Sequence, residues 1–122
     1  WTVTADGGFF QPAAVDDDIL VAGSTDRTVY ALDPATGDSL WSYTAGGVVS
    51  TAPVLTPEHV IFGSEDKILS VLDRSTGKKV WSYETEVAIR THPLVYGGRL
   101  YIANYDKKLL CLGPASESDE EQ

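Results

Sequence analysis

Ala31-Leu32-Asp33-Pro34-Ala35-Thr36-Gly37-Asp38-Ser39-Leu40-Trp41 returns 40 residues later as Val71-Leu72-Asp73-Arg74-Ser75-Thr76-Gly77-Lys78-Lys79-Val80-Trp81. A third copy decays into Cys111-Leu112-Gly113-Pro114-Ala115-Ser116. Trp1, Trp41 and Trp81 keep the same spacing, as do Val21-Ala22-Gly23-Ser24, Ile61-Phe62-Gly63-Ser64 and Tyr101-Ile102-Ala103-Asn104. Asp26, Asp66 and Asp106 are in step with them. A fixed period of this length marks a repeat architecture, in which each unit is one supersecondary element that needs neighbours to bury its apolar faces.

Inside one unit the apolar runs are short and separated by turn residues, which predicts strands and no helices. In the second unit these runs are Pro53-Val54-Leu55, Val60-Ile61-Phe62, Ile68-Leu69-Ser70-Val71-Leu72 and Val80-Trp81-Ser82-Tyr83. Some strands, such as Ile19-Leu20-Val21-Ala22, are apolar at successive positions, so both faces of their sheet are expected to be covered. Gly97-Gly98 predicts a tight hairpin because both glycines accept a positive φ. The expected fold class is all-β: a partial β-propeller of about three four-stranded antiparallel blades of 40 residues each. The units are expected at about 1–40, 41–80 and 81–115, followed by an acidic disordered tail at 116–122.

The Asp-x-x-Thr-Gly turn has a mechanical reading. Asp33 and Asp73 can accept from backbone N–H groups two or three residues on; Thr36 and Thr76 belong to the same turns. Gly37 and Gly77 can supply a left-handed position, and Trp41 and Trp81 can then pack sideways.

Charge narrows the partners. With 9 Lys and Arg against 18 Asp and Glu, the net charge of −9 opposes any association driven by phosphate neutralisation, so nucleic acid is not expected. No run is long and apolar enough to predict a transmembrane segment. A single cysteine, Cys111, excludes an intrachain disulfide; its apolar neighbours predict a buried, inert thiol. Asp16-Asp17-Asp18 lacks the spaced ligands of a calcium loop and reads as a solvated turn. The recurrence of Asp26, Asp66 and Asp106 reads as turn chemistry. No metal or catalytic residue is expected in this segment.

The pattern Ala-x-Asp-x-x-Thr-Gly-x-x-x-Trp, complete from Ala31 to Trp41 and with Val71 in place of the alanine in the next copy, resembles the tryptophan-docking motif of the pyrroloquinoline-quinone-like (PQQ-like) β-propeller repeat family. Gly46-Gly47-Val48-Val49-Ser50-Thr51-Ala52-Pro53 through Trp81 is similar to that family's consensus, whereas the Gly-His and Trp-Asp dipeptides of WD40 propellers are missing. The resemblance implies a propeller with more blades than this chain supplies, closed by pairing a strand from one terminus with the sheet at the other. Trp1 would open an outer strand, and the last blade would lack its own. On that basis the C-terminus is expected to be natural and the N-terminus cut from a longer protein.

The resemblance also implies two functional branches. One is a non-catalytic scaffold binding protein or ligand, as in the outer-membrane-assembly-lipoprotein branch or the sensor part of a receptor. It would lie outside the cytoplasm and be joined to the remaining blades or to other copies of itself. The other is a fragment of a PQQ-dependent quinoprotein dehydrogenase, whose calcium, quinone and vicinal disulfide would lie in other blades. The regular repeat favours the first, with no cofactor. Arg90 and His92 stand where the preceding unit has Ser50 and Ala52, and large polar groups at the entry to an innermost strand are candidate binding residues at a channel mouth.

Overall fold

The computed structural model describes residues 1–103 and 109–112. Strands β1 (Ala14–Val15), β2 (Leu20–Gly23), β3 (Thr28–Leu32) and β4 (Ser39–Thr44) form the first sheet, each pairing antiparallel with the next. Strands β5 (Val54–Leu55), β6 (His59–Gly63), β7 (Ile68–Asp73) and β8 (Lys79–Glu84) repeat that meander, and β9 (Leu94–Tyr96), β10 (Arg99–Ala103) and β11 (Leu109–Leu112) form a three-stranded third sheet. The tryptophan strand is the last strand of its sheet: Trp41 pairs with Ala31, and Trp81 with Val71. A register shift follows at the same place in both sheets, between Ala31 and Leu32 and between Val71 and Leu72.

The strand expected at Trp1 does not form; residues 1–13 contain none. Ladder pairing needs a partner strand, and no neighbouring strand lies beside this segment among the described residues. Asn104, Asp106 and the tail at 116–122 fall outside the described residues.

The cores lie between the sheets. Val21, Val29, Ala31 and Trp41 of the first sheet meet Val60, Phe62 and Leu72 of the second, with Val49 of the connecting segment in the same cluster. On the opposite face of the second sheet, Ile61 and Leu69 pack with Ile89, Leu100 and Ile102. This two-sided burial explains the non-alternating run Val60-Ile61-Phe62, because a sheet covered on both faces has no solvated side to mark with polar residues. The connecting segments act as wedges. A Cβ placed on Gly23 would come within 2.4 Å of Val49, and one on Gly63 within 2.5 Å of Ile89, so both glycines permit close packing of a neighbouring chain segment.

Two kinds of turn set the ends of the strands. Gly97 and Gly98 have φ of 61° and 77° between β9 and β10, as a two-residue type I′ hairpin requires. At the β2–β3 and β6–β7 turns the left-handed residues are Arg27 (φ 74°) and Lys67 (φ 70°), which the sequence did not mark because neither is a glycine. Cys111 is exposed, which corrects the expectation of a buried thiol. In β11, exposed Leu109 and Cys111 alternate with half-buried Leu110 and Leu112; no further sheet covers the outer face among the described residues.

Candidate binding site at the mouth of the sheets

The repeated turns show how the sheets are fastened side by side. Asp33 accepts from the Ala35 amide (2.8 Å), and Asp73 accepts from Ser75 (2.8 Å) and Thr76 (3.2 Å). Thr36 and Thr76 accept from the amides of Asp38 and Lys78, each at 3.2 Å. Gly37 and Gly77 have φ of 79° and 77°. They also have a second reason to be glycine. A Cβ on Gly77 would lie 2.5 Å from the Trp41 ring, and a Cβ on Gly37 would lie 2.6 Å from the Trp1 ring. Each indole therefore docks on the turn of the following sheet, and its Nε1–H donates to a backbone carbonyl there: Trp41 to Arg74 (2.8 Å) and Trp1 to Pro34 (3.0 Å).

Trp81 behaves differently. It is 45% exposed and stacks on Tyr83. One period beyond Asp73 and Gly77 the sequence has Gly113 and Glu117 in their places.

At one end of the sheets, the β2–β3 and β6–β7 turns and the connecting segments enclose a cavity of about 260 Å3. Gly8, Phe10, Thr25, Ser50, Glu65 and Arg90 are among its lining residues. Arg90 is fixed by a two-point contact with Glu65, Nε to Oε2 at 3.1 Å and Nη2 to Oε1 at 2.8 Å. The hydrogen bonds from the Arg90 guanidinium, more than its charge, hold the Glu65 carboxyl below the usual carboxylate range. His92 is exposed, and its Nδ1 accepts from the Ala52 amide at 2.9 Å. Both candidate side chains thus reach back from the approach to the third sheet to the preceding repeat, each with its own partner. Ser50, one period before Arg90, instead reaches forward and donates to the Ile89 carbonyl.

The opposite end carries a tie that sequence reasoning missed. Arg74 pairs with Asp16 at 2.6 Å and donates to the Thr56 carbonyl at 3.0 Å, linking the turns of the first two sheets beside an open depression of about 600 Å3. Asp16 also caps its own turn by accepting from Asp18 (2.9 Å) and Ile19 (3.1 Å). The Asp18 amide, followed by the Arg74 guanidinium, lowers the Asp16 pKa. Its stabilising contribution is therefore present at neutral pH and is lost as the pH falls below about 4, through the folded-state pKa. In Asp16→Asn the acid limb of the stability curve is expected to flatten, read from urea midpoints against pH; an unchanged limb would remove this assignment.

Asp26 belongs to its turn. Burial, the largest influence on its carboxyl, raises the pKa, but the Tyr30 hydroxyl (2.5 Å) and the Thr28 amide (2.9 Å) outweigh it, and the net shift is downward. Asp66 repeats this by accepting from the Ile68 amide (3.2 Å) and the Ser64 hydroxyl. Among the described residues no group of three or more His, Cys, Asp or Glu side chains is placed to hold a metal ion. No helix among them is long and apolar enough to cross a membrane.

The family whose sequence profile matches residues 1–118 is described as outer membrane protein assembly factor BamB. The chain belongs to that family. Among solved structures, BamB from Moraxella catarrhalis superposes with a TM-score of 0.80 at 22% identity, covering 91% of this chain and 35% of that one. The computationally designed Ika8 protein matches at 0.74 and 21% identity, over 84% of this chain and 32% of that one. Quinohemoprotein alcohol dehydrogenase from Comamonas testosteroni matches at 0.69 and 26% identity, over 79% of this chain and 17% of that one. The chain thus spans about a third of the length of the solved BamB. No curated protein sequence matches. Three sheets of this BamB-family chain correspond to part of a propeller, and the docking of the Trp41 indole on Gly77 fastens the first two.

Proposed function

We propose that this chain is a segment of a non-catalytic propeller that acts outside the cytoplasm as an interaction scaffold for a protein partner. The observation that carries the reading is the use made of the polar groups at the mouth: Arg90 is held by Glu65, and His92 by the Ala52 amide, across neighbouring repeats. Groups already engaged with neighbouring repeats hold the end surface in place and are not left free for proton transfer, which suits contact with another macromolecule better than turnover of a small substrate. Family membership supports the same reading. Short turns tie adjacent sheets at both ends, through Asp16 and Arg74 at one and Glu65 and Arg90 at the other, and a stiff platform loses little freedom on binding.

The second reading, a segment of a quinone-dependent dehydrogenase, draws on the match to the Comamonas enzyme. The two are separated by titrating the protein with pyrroloquinoline quinone and calcium and following dye reduction with alcohols. The scaffold reading expects neither saturable quinone uptake nor dye reduction. Uptake with turnover would overturn it.

Arg90→Ala tests the role of the mouth. The pair is more than a third exposed on the arginine side, so its removal is expected to cost under about 1 kcal/mol. Urea unfolding checks this, and a loss of several kcal/mol would show that the pair is structural first.

A further inference from the structure

Pro12, Ala52 and His92 occupy one position of the repeat, 40 residues apart. The strand pairings bear out the alignment, because Ala14 faces Val21, Val54 faces Ile61 and Leu94 faces Tyr101. At this position the chain approaches the first strand of each sheet, and the backbone N–H of Ala52 donates to Nδ1 of His92 at 2.9 Å. Donor and acceptor are matched from repeat to repeat. Where the position offers an N–H, at Ala52, the next copy brings an acceptor, His92; where it offers none, at Pro12, the next copy has Ala52, whose methyl group cannot accept. The bond also fixes the state of the ring. Nδ1 can accept only while it carries no proton, so the proton of the neutral imidazole is on Nε2, and a second proton would turn the acceptor into a donor facing a donor.

We propose that His92 is a pH-operated latch between the second and third sheets: neutral, it holds the approach to β9 against the approach to β5, and on protonation it lets go, so that the mouth is rigid near neutral pH and loosens in mildly acidic solution. Histidine changes charge between pH 5 and 8, and the other polar side chains of this joint, Ser50, Glu65 and Arg90, do not. Nothing at this end compensates a protonated ring. Glu65 is held by Arg90, and Asp66 by the Ile68 amide and the Ser64 hydroxyl. Lys67, at the tip of the same turn, and Glu84 and Glu86, on the way from β8 to the third sheet, are not paired with His92 among the described residues. Arg99 starts β10 at the end away from Ala103, where Thr91 ties the approach to that strand. Protonation would also set a second positive charge two residues from Arg90. The joint between the first two sheets has no such group, since it is made by the Trp41 indole and the Asp16–Arg74 pair, and the loosening is confined to the second joint. As regulation of the mouth the inference rests on the scaffold reading; as a property of the joint it stands without a partner and is tested on the chain alone.

The test follows the isotope-labelled chain by NMR from about pH 8 to about pH 5, the range in which histidine titrates. The Ala52 amide proton is expected to move upfield with the same midpoint as the His92 ring. Its hydrogen exchange, corrected for the intrinsic dependence on pH, is expected to speed up about fivefold as the bond is lost. In His92→Gln and His92→Ala the side chain does not titrate, and the Ala52 signal is expected to stop responding to pH. His59→Gln removes the only other histidine and is expected to leave the Ala52 titration unchanged. Near-UV circular dichroism checks that each variant keeps the native fold. An Ala52 amide that stays fixed while the His92 ring titrates, or that titrates equally well in His92→Gln, would overturn the proposal. Saturable quinone uptake would instead overturn the scaffold reading and leave these signals as they are.

Discussion

Replacing Trp41 by alanine is expected to destabilise the chain by about 3–5 kcal/mol, whereas Trp81→Ala is expected to cost less than half as much. The two residues have the same place in the repeat and differ in surroundings. Trp41 is 9% exposed, packs in the core between the first two sheets, and donates its indole N–H to the Arg74 carbonyl. Trp81 is 45% exposed and stacks on Tyr83. Removing the Trp41 ring opens a void between two sheets, and also leaves a carbonyl without its donor. A domain of this size has only about 5–15 kcal/mol in reserve, so Trp41→Ala alone is expected to remove a large share of it and to lower the urea midpoint in proportion. Equal losses at the two positions would show that the docked seam contributes nothing beyond local strand propensity.

The second large effect is expected at Gly77. In Gly77→Ala the residue must hold a φ of 77°, which costs an L-residue about 1–2 kcal/mol. Its Cβ must also sit 2.5 Å from a ring that is rigid and buried, and overpacking of this kind adds about 1–3 kcal/mol. Gly97→Ala is the control. Its φ is 61°, but nothing lies within 4 Å of the new atom, so only the conformational cost remains. The double substitution Trp41→Ala with Gly77→Ala is expected to cost less than the sum of the singles, because removing the ring leaves room for the methyl group. Denaturation of the four chains measures all of these terms. Additivity would separate the glycine from the indole and leave the close approach without energetic meaning.

Much of the architecture was readable because a period of 40 residues repeats both the apolar runs and the turn chemistry that separates them. The pattern marked which segments become strands, Trp1 excepted; two covered faces, expected from Ile19-Leu20-Val21-Ala22, are found in the middle sheet, while β2 alternates buried and half-buried positions. The resemblance implied a last blade without its own outer strand, and among the described residues the third sheet has three strands. What it did not reveal depends on neighbours. That Gly37 and Gly77 are close-approach sites as well as left-handed ones follows from the indole that lies 36 residues upstream of each. Arg27 and Lys67 adopt the left-handed region through the hairpin geometry, with no glycine to signal it. Cys111 looked buried because its sequence neighbours are apolar, but burial in a repeat comes from the next unit, and β11 has none beside it among the described residues.

At the candidate site, the sequence marked Arg90 and His92 as departures from the repeat but not what they meet. The signal was there. Glu65 replaces Thr25 and Arg90 replaces Ser50, two changes of opposite charge separated by the same 25 residues as the pair they supplant. Arg74, in place of Pro34, is a third departure, and its partner Asp16 belongs to a triplet of aspartates in which no single one stands out by sequence alone.

The indole of each seam bonds to a main-chain oxygen, at Pro34 in one turn and at Arg74 in the next. Recognition between adjacent modules is thus indifferent to the side chain at the receiving position. That position holds a proline in one turn and, in the next, an arginine that also pairs with Asp16. A propeller built on this kind of joint can diversify its rim, module by module, without renegotiating how its parts are held together.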